Sequence, residues 1–223
     1  MNTVPLLFAE SVARLLDEKS LCSLKAFSSG HFGKVGRSLW ENRLRIYLHV
    51  IFNKKEGNFD YRLTCRRNDS REEPYTYDPA DGRFVADFQV YLLERKLNDR
   101  KFTWTTAAPS DPTLLVKRWL RAPFARTSLY LYTACPQFLT LLPDYCTFNH
   151  INAYFDSYSK VLEAIIERSQ ECGRLENVNC NKFFRKRGRE TSMEWILTNK
   201  RLRQISPWTA DTMEQALNAV CAW

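Results

Sequence analysis

Three short segments near the end of the chain, FNHINA, LENVNC and LRQISP, begin at residues 148, 175 and 202, 27 residues apart each time. Each carries apolar or small residues at its first, fourth and sixth places: Phe148, Ile151 and Ala153; Leu175, Val178 and Cys180; Leu202, Ile205 and Pro207. The fourth and sixth places share one side of an extended chain, which makes each segment a strand with one inward face. Helical patterns fill the intervals. In YSKVLEAIIERSQ the residues Val161, Leu162, Ile165 and Ile166 form one stripe, and TSMEWILTN and TADTMEQALNAVCAW fill the corresponding later places. Strand-then-helix units at a fixed period stack so that each covers the apolar face of its neighbour.

The Leu-x-x-Leu-x-Leu pattern at this spacing resembles leucine-rich repeats, whose period runs about 20–29 residues. An ordinary α/β or α+β domain is the other architecture that the spacing allows. SLYLYT at 128–133, followed by PQFLTLLP, reads as an earlier irregular unit, and WTT plus DPTLLVKRWL as another. With the first, fourth and sixth places inward, the residue between the last two and the one before them face outward. Tyr130, Tyr132, Asn152, Tyr154, Asn177 and Asn179 are then expected in one exposed patch, with His150, Gln204 and Ser206 beside them. Tyrosines and amides combine contact area with adaptable hydrogen bonding, as a protein-binding surface requires; they also suit a merely solvated sheet.

The opening VPLLFAESVARLLDEKSLCSLKAFSSG is apolar, yet it lacks a basic n-region, and Glu10, Arg14 and Asp17 interrupt it, so neither a signal peptide nor a membrane span is expected. Phe8, Val12, Leu15 and Leu16 fall on one helical stripe, with Pro5 near the start, where its missing N–H costs nothing. Ser20 is a candidate N-cap for a second helix lined by Leu21, Leu24 and Phe27. Phe32, Val35, Leu39 and Trp40 continue at helical spacing after a serine turn. Three short helices bury too little surface to stand alone.

The order of Pro5, Val12, Leu16, Asp17, Leu21, Leu24, Ser28 and Trp40 resembles the F-box, although Leu7 stands where that family often has an acidic residue and Phe32 replaces its usual tryptophan with a one-residue shift. The resemblance implies a Skp-family linker of a cullin–RING ubiquitin ligase as partner, bound through Pro5, Leu6, Phe8, Leu15, Leu16, Leu21 and Leu24. An F-box, a β segment and degenerate repeats together resemble nematode-type F-box proteins. That resemblance implies a substrate adaptor of an SCF-type ligase.

Between the two ends, LRIYLHVIF at 44–52 and FDYRLTCRR at 59–67 read as strand, turn, strand, with Phe59, Tyr61, Leu63 and Cys65 alternating against polar residues. NDSREEPYTYDPADG reads as a surface loop, FVADFQVYLL as a third strand and KFTWTT as a fourth. His49 reads as a strand-surface or satisfied core residue rather than a ligand.

Motifs for chemistry are scarce. The chain of 223 residues holds three histidines, seven scattered cysteines without a CxxC pair, and no HExxH, GxSxG, P-loop or GxGxxG. Cys146 and His150 lack a third ligand, and Glu72-Glu73 sits in a polar loop. No catalytic centre, metal or cofactor is expected, and the free cysteines suit a reducing cytoplasmic or nuclear compartment. The net charge of +8 leaves room for an acidic partner. The run KFFRKRGR at 182–189 fits phosphate contact with base stacking, nuclear import, or simply an exposed connection. Nucleic-acid binding or a nuclear scaffold role through that run is therefore the second function class. The expected architecture is α+β: a three-helix module over 1–43, a short antiparallel β segment over 44–106, and leucine-rich-repeat-like β/α units over 107–223.

Overall fold

The computed structural model describes residues 5–14, 16, 18–27, 30–68, 70–76, 78, 81, 84–95, 103–107, 116, 126–142, 148–154, 160–171, 174–180 and 204–206. Helices α1 (Leu6–Ala13), α2 (Glu18–Lys25) and α3 (Gly30–Glu41) come first. Strands β1 (Leu44–Asn53), β2 (Asn58–Arg67), β3 (Glu73–Pro74), β4 (Val85–Leu93) and β5 (Thr105–Ala107) follow. The remainder alternates: β6 (Arg126–Leu131), α4 (Phe138–Leu141), β7 (His150–Ala153), α5 (Lys160–Glu171), β8 (Asn177–Cys180) and β9 (Gln204–Ser206). The fold is mixed α+β, and its strands run in the order β3-β2-β1-β4-β6-β7-β8-β9, with β5 also paired to β2. Two compact units are defined: Met1–Leu48 with Leu63–Phe88 and Ala122–Arg126, and His49–Arg62 with Gln89–Arg121 and Thr127–Trp223.

In the first unit, Pro5 precedes α1 and its carbonyl accepts the Phe8 and Ala9 amides at 3.0 and 3.1 Å. The pattern puts Phe8, Val12, Leu15 and Leu16 on a buried stripe, but α1 ends at Ala13 and buries Ala9 and Ala13 against Val35 and Leu39 of α3. Small side chains let two short helices approach closely, and the large ones are displaced to the rim. Leu15 lies outside the described residues. Ser20 falls inside α2, which starts at Glu18, and so is not its cap. A Cβ on Gly33 would overlap the Phe27 carbonyl oxygen, and one on Gly36 would lie 2.9 Å from Leu24 Cγ, so α3 meets the α2 segment along a bare glycine surface. Lys25 Nζ and Arg43 Cζ lie 4.3 and 3.6 Å from the centre of the Trp40 ring, adding cation–π attraction at the end of α3. Asn68, at φ 52°, donates from Nδ2 to the Glu41 carbonyl at 2.6 Å and ties the end of β2 to the end of α3.

A four-residue turn joins β1 and β2, closed by the Gly57 amide donating to the Asn53 carbonyl at 2.9 Å; Gly57 sits at φ 68°, a conformation that costs glycine nothing. Leu44, Ile46, Leu48 and Val50 alternate on the fully buried face of β1. The sequence pattern gives β2 a single apolar face, yet Asp60, Arg62 and Thr64 are buried as well, while Tyr61 and Leu63 are half-buried. Polar partners account for this: Thr106 Oγ1 donates to Asp60 Oδ1 at 2.6 Å, and Thr64 Oγ1 to Glu72 Oε1 at 2.5 Å. The expected surface loop after β2 contains β3, antiparallel to β2, and the expected strand at KFTWTT begins only at Thr105.

Strands β6, β7, β8 and β9 run parallel, and their register repeats the sequence spacing: His150 pairs with Asn177, and Asn177 with Gln204. Phe148, Ile151, Leu175 and Val178 are fully buried, and α5 buries Val161, Leu162, Ile165 and Ile166 as the crossover between β7 and β8. The segments TSMEWILTN and TADTMEQALNAVCAW lie outside the described residues, as does DPTLLVKRWL apart from the buried Val116.

Asn149 joins the parallel strands at their starts. Its Oδ1 accepts from the Thr127 amide at 2.9 Å and from Thr127 Oγ1 at 3.2 Å, and its Nδ2 donates to the Arg174 carbonyl at 3.3 Å. Its backbone donates to the Thr127 carbonyl at 2.8 Å and accepts the Glu176 and Asn177 amides at 2.9 and 3.0 Å. Replacing Asn149 by alanine would remove both bonds that its Oδ1 accepts from buried Thr127 and the one that its Nδ2 donates to the Arg174 carbonyl. We expect a loss of about 2–3 kcal/mol in denaturant unfolding; an unchanged midpoint and slope would refute this role. Gly33→Ala forces the Phe27 backbone to move and is expected to cost about 1–3 kcal/mol, read as a lower midpoint in thermal unfolding followed by circular dichroism.

Candidate functional site: an aromatic and amide face on the sheet

Parallel pairing puts residues of equal height on one side of a sheet. Tyr130 pairs with Asn152, Asn152 with Asn179, and Asn179 with Ser206, so these four strands contribute one row. A second row runs through Ser128, His150, Asn177 and Gln204. One step beyond the first row, Tyr132 and Tyr154 follow β6 and β7. They are 42% and 55% exposed, and their rings stack at 4.8 Å with planes 16° apart. Tyr130, Asn152, Asn177 and Asn179 are half-buried. The first row continues through neighbouring strands. Tyr130 stacks on Tyr91 of β4 at 4.5 Å and 6°, and Tyr91 on His49 of β1 at 4.8 Å and 20°. Tyr91 and His49 were not singled out as site residues by the sequence pattern, because neither lies in the 27-residue repeat; their inward-outward alternation along β1 and β4 is the signal that places them on this face.

Ring spacing fixes ring orientation. Two rings lying flat and side by side on a sheet need centroids roughly 6 Å or more apart, so parallel rings at the observed spacings stand on edge, each covering its neighbour's face. Within each pair only the facing ring surfaces cover one another, and Tyr132 and Tyr154 are the exposed members. The Tyr91 hydroxyl donates to Gln89 Oε1 at 2.6 Å. Burial, with the Tyr154 phenol beside it, raises the Tyr132 hydroxyl above its ordinary pKa, which keeps it a neutral donor.

His49 is 6% exposed, and burial first, then the Arg62 guanidinium, lower its pKa to about 4. It is a neutral, buried member of the ladder and not a base poised near neutrality, and its Nδ1 has no hydrogen-bond partner among the described residues. Elsewhere, burial and then the Glu73 carboxylate raise Cys65 to about 11, which leaves an unreactive thiol. Cys65 Sγ donates to Glu73 Oε1 at 3.6 Å. Glu73 also lies 3.8 Å from Arg67 Nε, while Glu72 accepts from Thr64. Among the described residues no three His, Cys, Asp or Glu side chains come together as metal ligands. Among them, too, no helix is long and apolar enough to cross a membrane. Cys146 and the basic run 182–189 lie outside the described residues.

The residues expected to bind a linker divide into two groups. Pro5, Leu6 and Phe8 are exposed, the two large side chains at 51% and 57%, together with the neighbouring Leu7 at 76%. Leu21 and Leu24 are half-buried and packed against the Ala9–Ala13–Val35–Leu39 cluster, so part of their apolar surface is used inside the module. Leu16 is half-buried beyond the end of α1. No family model, curated protein or solved structure matches the chain.

The His49 shift has a definite sign. The unfolded state takes up a proton as pH falls below the ordinary value of 6.5, whereas the folded state resists until about 4. Stability from the neutral imidazole is therefore complete above the upper value and declines between the two, by up to about 3 kcal/mol. His49→Phe keeps a stacked ring without a titrating group. Urea unfolding across that window is expected to show a shallower pH dependence for the variant; parallel curves would exclude the effect.

Proposed function

We propose that the chain is a non-catalytic adaptor in the cytoplasm or nucleus. In this reading its F-box-like helical module binds a Skp-family linker of a cullin–RING ubiquitin ligase. The aromatic and amide face of its leucine-rich-repeat-like units holds a protein target. The observation that carries the first half is the exposure of Leu6, Leu7 and Phe8 on α1 beside a cluster that is closed without them. Large apolar side chains consecutive on a helix and exposed to water favour a partner that covers them, and a helix laid against a hydrophobic groove is the recurrent solution. The second half is supported by the parallel 27-residue register and by the tyrosines and asparagines that it aligns.

Because Leu6 and Phe8 are outside the internal cluster, charged replacements test the interface without dismantling the module. The double variant Leu6→Glu, Phe8→Glu is expected to weaken co-purification with a Skp-family linker at least tenfold, with its thermal unfolding unchanged. Equal retention of the linker by variant and parent, or no retention by the parent, would sink the adaptor reading.

A further inference from the structure

The turn that follows β2 sets a serine among arginines. β2 ends at Arg67, and the Ser70 amide donates to the Arg67 carbonyl at 3.0 Å, so positions 67 and 70 face each other across one reverse turn. The bond from Asn68 Nδ2 to the Glu41 carbonyl pins the corner of that turn. Arg66 Nε donates to the Ser70 carbonyl at 2.7 Å, and the same guanidinium is bonded to the Tyr47 hydroxyl, which fixes it in place. Ser70 itself is exposed. Its hydroxyl meets the Arg71 carbonyl at 3.3 Å, longer than a good O–H···O bond. Arg67, 46% exposed, is held loosely: its Nε is 3.8 Å from Glu73 Oε1 and its Nη2 3.4 Å from Asp81 Oδ2, against about 2.7–2.9 Å for a strong charge-assisted bond.

These observations describe an accessible hydroxyl with two cations already beside it. A phosphate placed there carries a charge of about −1.5 to −2 and three acceptor oxygens, and an arginine cluster is the setting in which it gains bonds. Arg67 also stands three residues before the hydroxyl, where arginine-selective kinases present an acidic subsite. Glu73, three residues after it, belongs to β3, and its carboxylate accepts from Cys65 Sγ, which disfavours an acid-selective enzyme. We propose that Ser70 is a phosphorylation site for an arginine-selective protein kinase, and that Arg66 and Arg67 hold the phosphate once it is made. Ser70 Oγ attacks the γ-phosphorus of ATP and loses its proton to the carboxylate base of the kinase. The bond to the bridging oxygen breaks, and ADP leaves with the electron pair. Arg67 then exchanges its long contacts with Glu73 and Asp81 for the phosphate. The site is independent of the adaptor reading.

The test incubates the full chain with ATP and a calmodulin-dependent protein kinase, in parallel with an acid-selective casein kinase, and maps the product by mass spectrometry. Phosphoserine at position 70 is expected with the first enzyme, lost in Ser70→Ala and formed at least about tenfold more slowly in Arg67→Ala. No modification of Ser70 in the parent chain, or its modification by the acid-selective enzyme alone, overturns the site. Capture by the arginines is read separately, from the second ionisation of the phosphoserine by phosphorus NMR. Its midpoint, ordinarily about 6, is expected to lie about half a unit or more lower in the parent than in Arg66→Gln. Asp69, Arg71 and Glu72 adjoin Ser70 in both proteins, so their influence cancels in the comparison. Equal midpoints overturn the capture.

Discussion

The carboxamide of Asn149 is the interaction on which the parallel strands depend. Parallel strands cannot be closed by a tight turn, so the starts of β6, β7 and β8 must be held in line by something other than their connections. A buried side chain with two lone pairs and two N–H groups does this where an apolar residue would leave backbone groups unsatisfied. From that alignment follow the register of β7 against β8 and the row of outward residues. Losing the junction would disturb the face without touching any residue on it.

Much of this unit is legible in the sequence. The alternation in FNHINA and LENVNC, the helical stripe of Val161, Leu162, Ile165 and Ile166, and the 27-residue offset all reappear as burial and register. They are legible because each is a periodic pattern of apolar residues imposed by one inward face. Asn149 is not, since its counterparts at the same place in the later segments are Glu176 and Arg203; a single polar residue has no period.

The helical module resists reading for a different reason. Helical periodicity reports which side of a helix is apolar, but α1 is apolar on several sides, and the choice falls to the alanines because backbone proximity matters more than side-chain volume there. The same limit hides Arg62 and His49. Both look like solvent-facing residues of alternating strands, and both lose water to neighbours that are remote in sequence, a ring of Trp104 at 5.4 Å in one case and Tyr91 in the other.

The ladder of rings has a kinetic meaning. A tyrosine stacked at strand spacing has already lost its rotamer freedom when the sheet forms, so a ligand arriving at Tyr132 and Tyr154 orders only itself. Such a preformed surface needs no rearrangement before contact. Differences among ligands at this face would then reside in how long each stays rather than in how quickly it arrives.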